Sequence, residues 1–304
     1  MERISDANFY TEQYMDSILI QQRLIDSVVP TLETEYFGKK YSTPILMPAF
    51  SHIKNLKGRE KTGLEEYSIA AKECNMLNFC GMMENEQFDN IMSTGANTVR
   101  IVKPYVDRDK SKNQLTYAAE HGAVAVGMDI DHIFGNGGHD ICMGEEMTTY
   151  TVEQLKELKA LSDLPFVVKG VLSVEDALKA AEAGADAIIV SHHHGRLPYA
   201  IPPMLILPEI KKALKNTKIH IFLDCCIASG ADIYKALALG ADGVAIGRVM
   251  MKPLEEGGVE GVKALIKRLN DELIFCMEST GFKDVASIDS SCLWIREGYK
   301  KMDK

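Results

Sequence analysis

From residue 44 onward, short apolar runs alternate with polar or glycine-bearing loops and amphipathic stretches. The runs are Pro44–Ala49, Leu77–Gly81, Thr98–Lys103, Ala123–Asp129, Pro165–Lys169, Ala187–Ser191, Ile219–Asp224 and Gly243–Gly247. Each spans five to seven residues, a length that suits a parallel strand buried on both faces rather than a helix. Helical periodicity fills the gaps, for example at Leu64–Cys74, Val152–Leu161, Val174–Ala183 and Ala231–Leu239. Thr151 before Val-Glu-Gln and Ser173 before Val-Glu-Asp are helix start signals.

Two segments are also alike. Asp176–Val190 and Asp232–Ile246, offset by 56 residues, each read as a helix, a Gly-Ala-Asp turn and an apolar strand. Self-similarity of this kind favours one repeating unit over two unrelated domains. Eight strand–helix units predict an α/β fold, the (β/α)8 TIM barrel. The alternative is a doubly wound open sheet, which lacks its glycine fingerprint here. Gly135–Asp140 fails G-x-G-x-x-G at its last position, and no phosphate-binding G-x-x-x-x-G-K-[ST] loop occurs. The expected organisation is a short helical N-terminal extension over 1–43, the barrel over 44–290 and a C-terminal tail over 291–304. Segment 132–150, glycine-rich and without a helical period, is the expected lid over the barrel mouth.

Composition narrows the class of function. The chain has 304 residues, within reach of a single α/β barrel, and carries a net charge of −9. That balance argues against a nucleic-acid surface or a polybasic membrane anchor. Hydrophobic residues make up 46% and charged residues 25%, and no apolar run approaches a membrane span. The first residues lack the basic-then-apolar pattern of a secretory signal. Seven cysteines without a C-x-x-C pair read as neither a disulfide framework nor a zinc ribbon. The expectation is a cytoplasmic enzyme acting on a small molecule, with no nucleic acid or membrane partner.

In a barrel of this type the chemistry sits where the strands end. Those ends carry Asp129 after strand four, Lys169 closing strand five, Ser191-His-His-His-Gly-Arg196 after strand six, Asp224 after strand seven and Gly247-Arg248 after strand eight. A lysine following Phe166-Val-Val is rarely buried without a partner, the alternative being a lysine that snorkels to solvent. Asp129 reads either as a functional carboxylate or as a cap. On an extended segment His193 would face away from His192 and His194. A neutral imidazole beside the Arg196 guanidinium suits proton removal from an anionic substrate. Gly247-Arg248 suits a phosphate, held by exposed backbone N–H groups and a cation, or else is a turn with a surface arginine. Cys225-Cys226 reads as packed thiols, with redox or metal chemistry as the alternative.

Pro165-Phe-Val-Val-Lys-Gly-Val171, Ala183-Gly-Ala-Asp186 and Val190-Ser-His-His-His-Gly-Arg196 resemble the FMN-dependent α-hydroxy-acid oxidases and dehydrogenases. Leu223–Gly230, Lys235–Asp242, Ile246-Gly-Arg248 and the earlier Phe37–Ala49 extend the resemblance. Val99–Tyr105 and Val126–Asp131 look like the short versions of that family. The resemblance implies FMN as cofactor and a homo-oligomer, a tetramer or larger. It implies Lys169 beside the flavin, His193 as base, Asp129 as the partner of His193, and Arg196 on the substrate carboxylate. Pro48 and Ala49 would lie against the flavin ring, with Ser191, Asp224, Gly247 and Arg248 holding the rest of the cofactor.

The sequence departs from the family pattern at several positions. Ser191-His-His-His194 stands where Ser-Asn-His-Gly is usual, Cys225-Cys226 where Gly-Gly is usual, and Ala228 where an arginine reaches the phosphate. Lys103 stands where a tyrosine follows strand three. No arginine occurs over 109–195, which removes a second carboxylate ligand; Lys103 is the candidate to replace it as a substrate contact. Other readings remain beside the oxidoreductase: a flavin reductase or isomerase, and a barrel that has lost catalysis. A metal-dependent hydrolase would use Asp129, Asp131, His132, His192 and His194; the oxidoreductase reading needs no metal.

Overall fold

The computed structural model describes residues 4–51, 53, 58–135, 137–295 and 300–301. The eight apolar runs form one parallel sheet, hydrogen-bonded in the order first, eighth, seventh, sixth, fifth, fourth, third, second. The strands themselves are Ile45–Leu46, Asn78–Cys80, Thr98–Val102, Ala125–Asp129, Phe166–Val171, Ala187–Val190, His220–Leu223 and Gly243–Ala245. Met47 N–H donates to Leu77 O at 3.1 Å and Gly81 N–H to Phe50 O at 2.9 Å, closing the sheet on itself. The architecture is therefore a (β/α)8 barrel, with helices on the outside as its strand order requires.

The two-residue period of each strand sorts its side chains. One set, including Leu46, Phe79, Val99, Ile101, Val167, Ile189 and Phe222, fills the barrel interior, while the larger set packs against the helices. Where neighbouring strands approach most closely only glycine fits: a Cβ at Gly127 would lie 2.2 Å from Val167 O. Thr151 and Ser173 cap the helices Val152–Lys159 and Val174–Glu182, accepting from Gln154 N–H and Asp176 N–H. Caps of this kind contribute about 1 kcal/mol each.

The N-terminal extension differs from the helical expectation. Among its described residues only Ala7–Ser17 is helical; Ile18–Ile20 is a strand, and Thr34–Tyr36 with Lys39–Tyr41 forms a hairpin. The hairpin plugs the barrel floor. Tyr36 and Tyr41 are buried in the interior cluster, and Tyr36 Oη donates to Asp242 O at 2.6 Å. Alternating polar and aromatic positions fit a strand pair over a hydrophobic floor, and no helical period would bring both tyrosines inward. Strand Ile18–Ile20 pairs antiparallel with Leu293–Ile295, so the start of the C-terminal tail is tied to the extension rather than trailing from the barrel. Residues 296–299 and 302–304 of that tail lie outside the described residues, as does Asn136 of the lid.

Within 132–150 the chain forms two small hairpins, Phe134–Gly135 with Gly138–His139 and Ile141–Cys142 with Glu145–Glu146. A bridge between Tyr105 and Met147 anchors the segment to the loop after strand three.

Candidate active site at the barrel mouth

At the strand ends lies a cavity of about 580 Å³, lined by Pro48, Ala49, Phe50, Lys169, His193, Asp224, Gly247 and Arg248 among others. Its other end is bounded by Cys225, Cys226, Ile227, Ala228, and Asn8 and Glu12 of the N-terminal helix. The size is that of a pocket for a cofactor or small ligand.

Lys169 is the centre of a charge network. Its Nζ stands 4.0 Å from Asp129, 3.9 Å from Asp131 and 3.9 Å from Asp224. Burial presses the ammonium toward neutrality, but the three carboxylates outweigh it and hold the lysine charged. Lys103 is buried as well and turns to Asp129, Nζ to Oδ2 at 2.6 Å. Burial alone would raise the Asp129 pKa, yet Lys103, Lys169 and His193 hold it well below the usual carboxylate range.

His193 sits on a tight turn. His193, His194 and Gly195 all adopt positive φ, at 46°, 60° and 78°. The expectation of an extended segment is therefore replaced by a left-handed turn, and the expected opposite facing of His193 and His194 does not hold, since both line the cavity. His192 Nε2 meets Thr11 Oγ1 at 2.9 Å, while its Nδ1 accepts from Gly195 N–H. His194 Nδ1 meets Asn8 Oδ1 at 3.0 Å. Both rings thus brace the loop against the N-terminal helix, and His193 and His194 both line the cavity. Its Nδ1 lies 2.6 Å from Asp131 Oδ1 and 3.4 Å from Asp129 Oδ2. A carboxylate on Nδ1 places the proton there and leaves Nε2 as the basic nitrogen. Burial and Lys169 lower the His193 pKa, but the two carboxylates prevail and set it above the ordinary histidine value.

The remaining expected residues are placed as follows. Ser191 is buried beneath the turn, its Oγ accepting from His193 N–H at 3.0 Å. Arg196 points at the lid: Nη2 pairs with Asp140 Oδ2 at 2.6 Å and donates to Phe134 O, and Nη1 meets His132 Nε2 at 2.9 Å. Arg248 Nη2 donates to Asn8 Oδ1 at 3.0 Å. Asp129, Lys103, Ser191 and Arg196 are not among the residues lining the cavity.

Sequence reasoning missed the contribution of the N-terminal helix and assigned Asp131 to no flavin role. The polar Asn8 and Glu12 on a helix predicted only as an extension carried no signal. For Asp131 the signal was its spacing of two from Asp129. The metal-hydrolase set is not assembled. Asp129, Asp131 and His193 bring ligand atoms within 4.8 Å of one another, but His192 and His194 face the N-terminal helix. Lys103 and Lys169 already neutralise the carboxylates, so the donor set does not suit a cation.

The sequence profile of the family described as FMN-dependent dehydrogenase matches residues 8–140 and 134–295, nearly the whole chain. The chain belongs to that family. A 2-hydroxyacid oxidase of Dictyostelium discoideum is 29% identical over 93% of this chain and 81% of its own length. An L-lactate oxidase of Lactobacillus jensenii is 27% identical over 89% of this chain and 73% of its own. A mandelate oxidase variant solved with an FMN adduct superposes with a TM-score of 0.81 at 25% identity, over 94% of this chain and 90% of that one.

FMN is the cofactor of this FMN-dependent dehydrogenase, and the cavity suits it. One wall, Pro48 to Phe50 with Ala245, is largely apolar; Lys169 supplies a buried cation and Arg248 an exposed one. A Cβ at Gly247 would meet nothing within 4 Å, so the backbone there faces open space that a phosphate can enter. Cys225 and Cys226 hold positive φ at 80° and 58°, a conformation glycine adopts without strain. Burial and Asp224 push the Cys225 thiol well above its ordinary pKa, which argues against a reactive thiolate there.

Proposed function

We propose that this chain oxidises a small anionic 2-hydroxy acid, with His193 as the base. The observation that carries the reading is the His193 ring, held through Nδ1 by carboxylates while lining the cavity that also contains Lys169. Pro48, Ala49, Lys169, Ser191, Asp224, Gly247 and Arg248 would hold FMN. Bound there, FMN supplies a two-electron acceptor, and the rest of the work belongs to the protein. His193 Nε2 takes a proton from the substrate, and Asp129 and Asp131 stabilise the imidazolium that results. The Lys169 ammonium favours negative charge building up beside it. Arg196 binds the substrate carboxylate through its fork of donors, a site that Asp140 fills in the unliganded chain. Lys103 acts on the substrate through its field while it stays paired to Asp129.

We further propose a cytoplasmic homo-oligomer. No disulfide joins any of the seven cysteines, as a reducing compartment requires. Among the described residues no helix is long and apolar enough to cross a membrane. Leu24, Ile25, Val28 and Val29 expose an apolar strip on the extension, with Ile25 at 92%, and a second copy would cover it. Light scattering on purified protein that gives a monomer mass would remove that part of the reading.

The catalytic reading is tested by the visible spectrum of purified protein, before and after FMN is added, and by anaerobic bleaching with lactate, glycolate and mandelate. Flavin bands bleached by one of these acids are expected. Flavin bands that none of them bleaches would shift the reading to a reductase or isomerase. A protein that ignores added FMN would leave a barrel without catalysis.

A further inference from the structure

Two lysines and two aspartates surround the His193 ring and its neighbours, and they pair in an order the resemblance did not imply. Asp129, the expected partner of His193, gives its Oδ2 to Lys103 at 2.6 Å and lies 3.4 Å from His193 Nδ1. Its other oxygen accepts from Asp131 N–H at 3.3 Å. The short contact to His193 Nδ1, 2.6 Å, comes instead from Asp131 Oδ1. We propose that Asp131 is the carboxylate that positions His193 in this chain, because the buried Lys103 has drawn Asp129 away.

The inference rests on His193 being the base, as argued above, and its physical logic is charge balance. A tyrosine at position 103 would be neutral and would leave Asp129 to the histidine. A lysine brings a full charge into a site where its side chain is 5% exposed, and such a charge needs a close counter-charge. Asp129 supplies it. His193 would then face the Lys169 ammonium while Asp129 is committed to Lys103, a field that opposes its protonation. Asp131 adds a second carboxylate beside the ring and occupies Nδ1.

The backbone makes room for this carboxylate. Gly170, next to Lys169, has φ +94°, and a Cβ there would lie 2.5 Å from Asp131 Cγ. Only glycine allows both that conformation and the approach. Asp131 Oδ2 has no hydrogen-bond partner among the described residues, so the carboxylate is held by His193 and by the field of Lys169 at 3.9 Å. The charged and titratable groups facing His193 are Asp131, Asp129, Lys169 with Nζ 3.4 Å from Nδ1, and the His132 ring at 5.2 Å.

The test reads His193 directly, by NMR titration of histidine-labelled holoenzyme, and also measures substrate-dependent flavin reduction. Asp131→Asn is expected to lower the His193 pKa by more than one unit and to slow reduction about 100-fold, with substrate affinity within a few-fold. Asp131→Glu is expected to recover at least part of both. Asp129→Asn is expected to move the His193 pKa less than Asp131→Asn does. In Lys103→Met/Asp131→Asn, the freed Asp129 can turn to His193, and at least tenfold of the lost rate is expected to return. Gly170→Ala displaces the carboxylate without deleting it and is expected to reproduce the pKa shift, which covers the case of Asp131→Asn failing to fold. The proposal is overturned if Asp131→Asn leaves the His193 pKa and the rate within twofold of the parent while Asp129→Asn carries the full loss. Because the titration needs no substrate, it stands even if no hydroxy acid reduces the protein.

Discussion

The cofactor side and the substrate side of the barrel mouth are built from different materials. On the side proposed for the cofactor, strand seven ends in Asp224, 3.9 Å from Lys169, and the turn at Cys225-Cys226, and strand eight ends at Gly247, with Arg248 braced by Asn8. On the substrate side, strands three to six end in ionised side chains that have already paired with one another. Lys103 is on Asp129, His193 on Asp131, and Arg196 on Asp140. A rigid backbone cradle can accept a phosphate without losing internal contacts. A network whose charges are all taken must give one up to each polar group of the substrate. On the proposed reading, the cofactor side would set affinity, and the substrate side selectivity and protonation.

The largest effect that would sharpen this division is expected from His193→Gln. Substrate-dependent flavin reduction should fall by about 10³-fold while the flavin spectrum and FMN affinity hold, because the residue supplies the base and little of the cradle. Stopped-flow reduction and an FMN titration of the same variant check it. Equal losses of rate and of cofactor would mean that the two sides are not separable.

Next comes the cofactor side. Arg248→Met removes a charged donor from the phosphate end and should weaken FMN binding about 10- to 100-fold, the range for a lost hydrogen bond to a charged group. Rates at saturating FMN should change little. Fluorescence titration with FMN reads the first quantity, and turnover with excess FMN the second.

The pH dependence belongs to the substrate side alone. His193 must be neutral to take a proton, and its pKa lies above the ordinary histidine value. The rate should therefore be full above that pKa and fall about tenfold per pH unit below it. Burial and the neighbouring Asp129 raise the Asp131 pKa above the ordinary carboxylate range, so acid also removes the carboxylate on Nδ1 and the decline steepens. FMN affinity over that range should stay nearly flat, and a parallel drop in affinity would break the comparison.

What the sequence made legible follows the same boundary. Strand positions could be read because parallel strands buried on both faces are continuous apolar runs, and the residues ending them are named by the fold itself. Thr151 and Ser173 could be read as caps because capping is local in sequence. The pairing of Lys103 with Asp129 spans 26 residues and that of His193 with Asp131 spans 62, and no local pattern encodes which carboxylate a cation reaches. The N-terminal extension failed for a related reason. Its strand at Ile18–Ile20 forms only because Leu293–Ile295 lies beside it, and its hairpin only because the barrel floor needs Tyr36 and Tyr41. The histidine turn shows the remaining gap: alternation set His193 opposite His194, but the chain there is left-handed rather than extended and both residues line the cavity.

The smallest expected effect tests the lid. Arg196 has three partners from the segment 132–140, and the strongest is the Asp140 carboxylate, which on the proposed reading competes with a substrate carboxylate for the guanidinium. Exchange of one carboxylate for another is nearly balanced in energy, so the latch costs the substrate affinity without excluding it. Asp140→Asn keeps the shape and removes the charge. The apparent KM for an anionic hydroxy acid should fall by a factor of about 3 to 10, with kcat little changed, in line with a partly exposed ion pair contributing roughly 1 kcal/mol. The released segment should also become more sensitive to chymotrypsin at the exposed Phe134, and saturating substrate should not restore its protection. A higher KM in Asp140→Asn would mean that the aspartate helps to hold Arg196 in place for the substrate instead of competing with it.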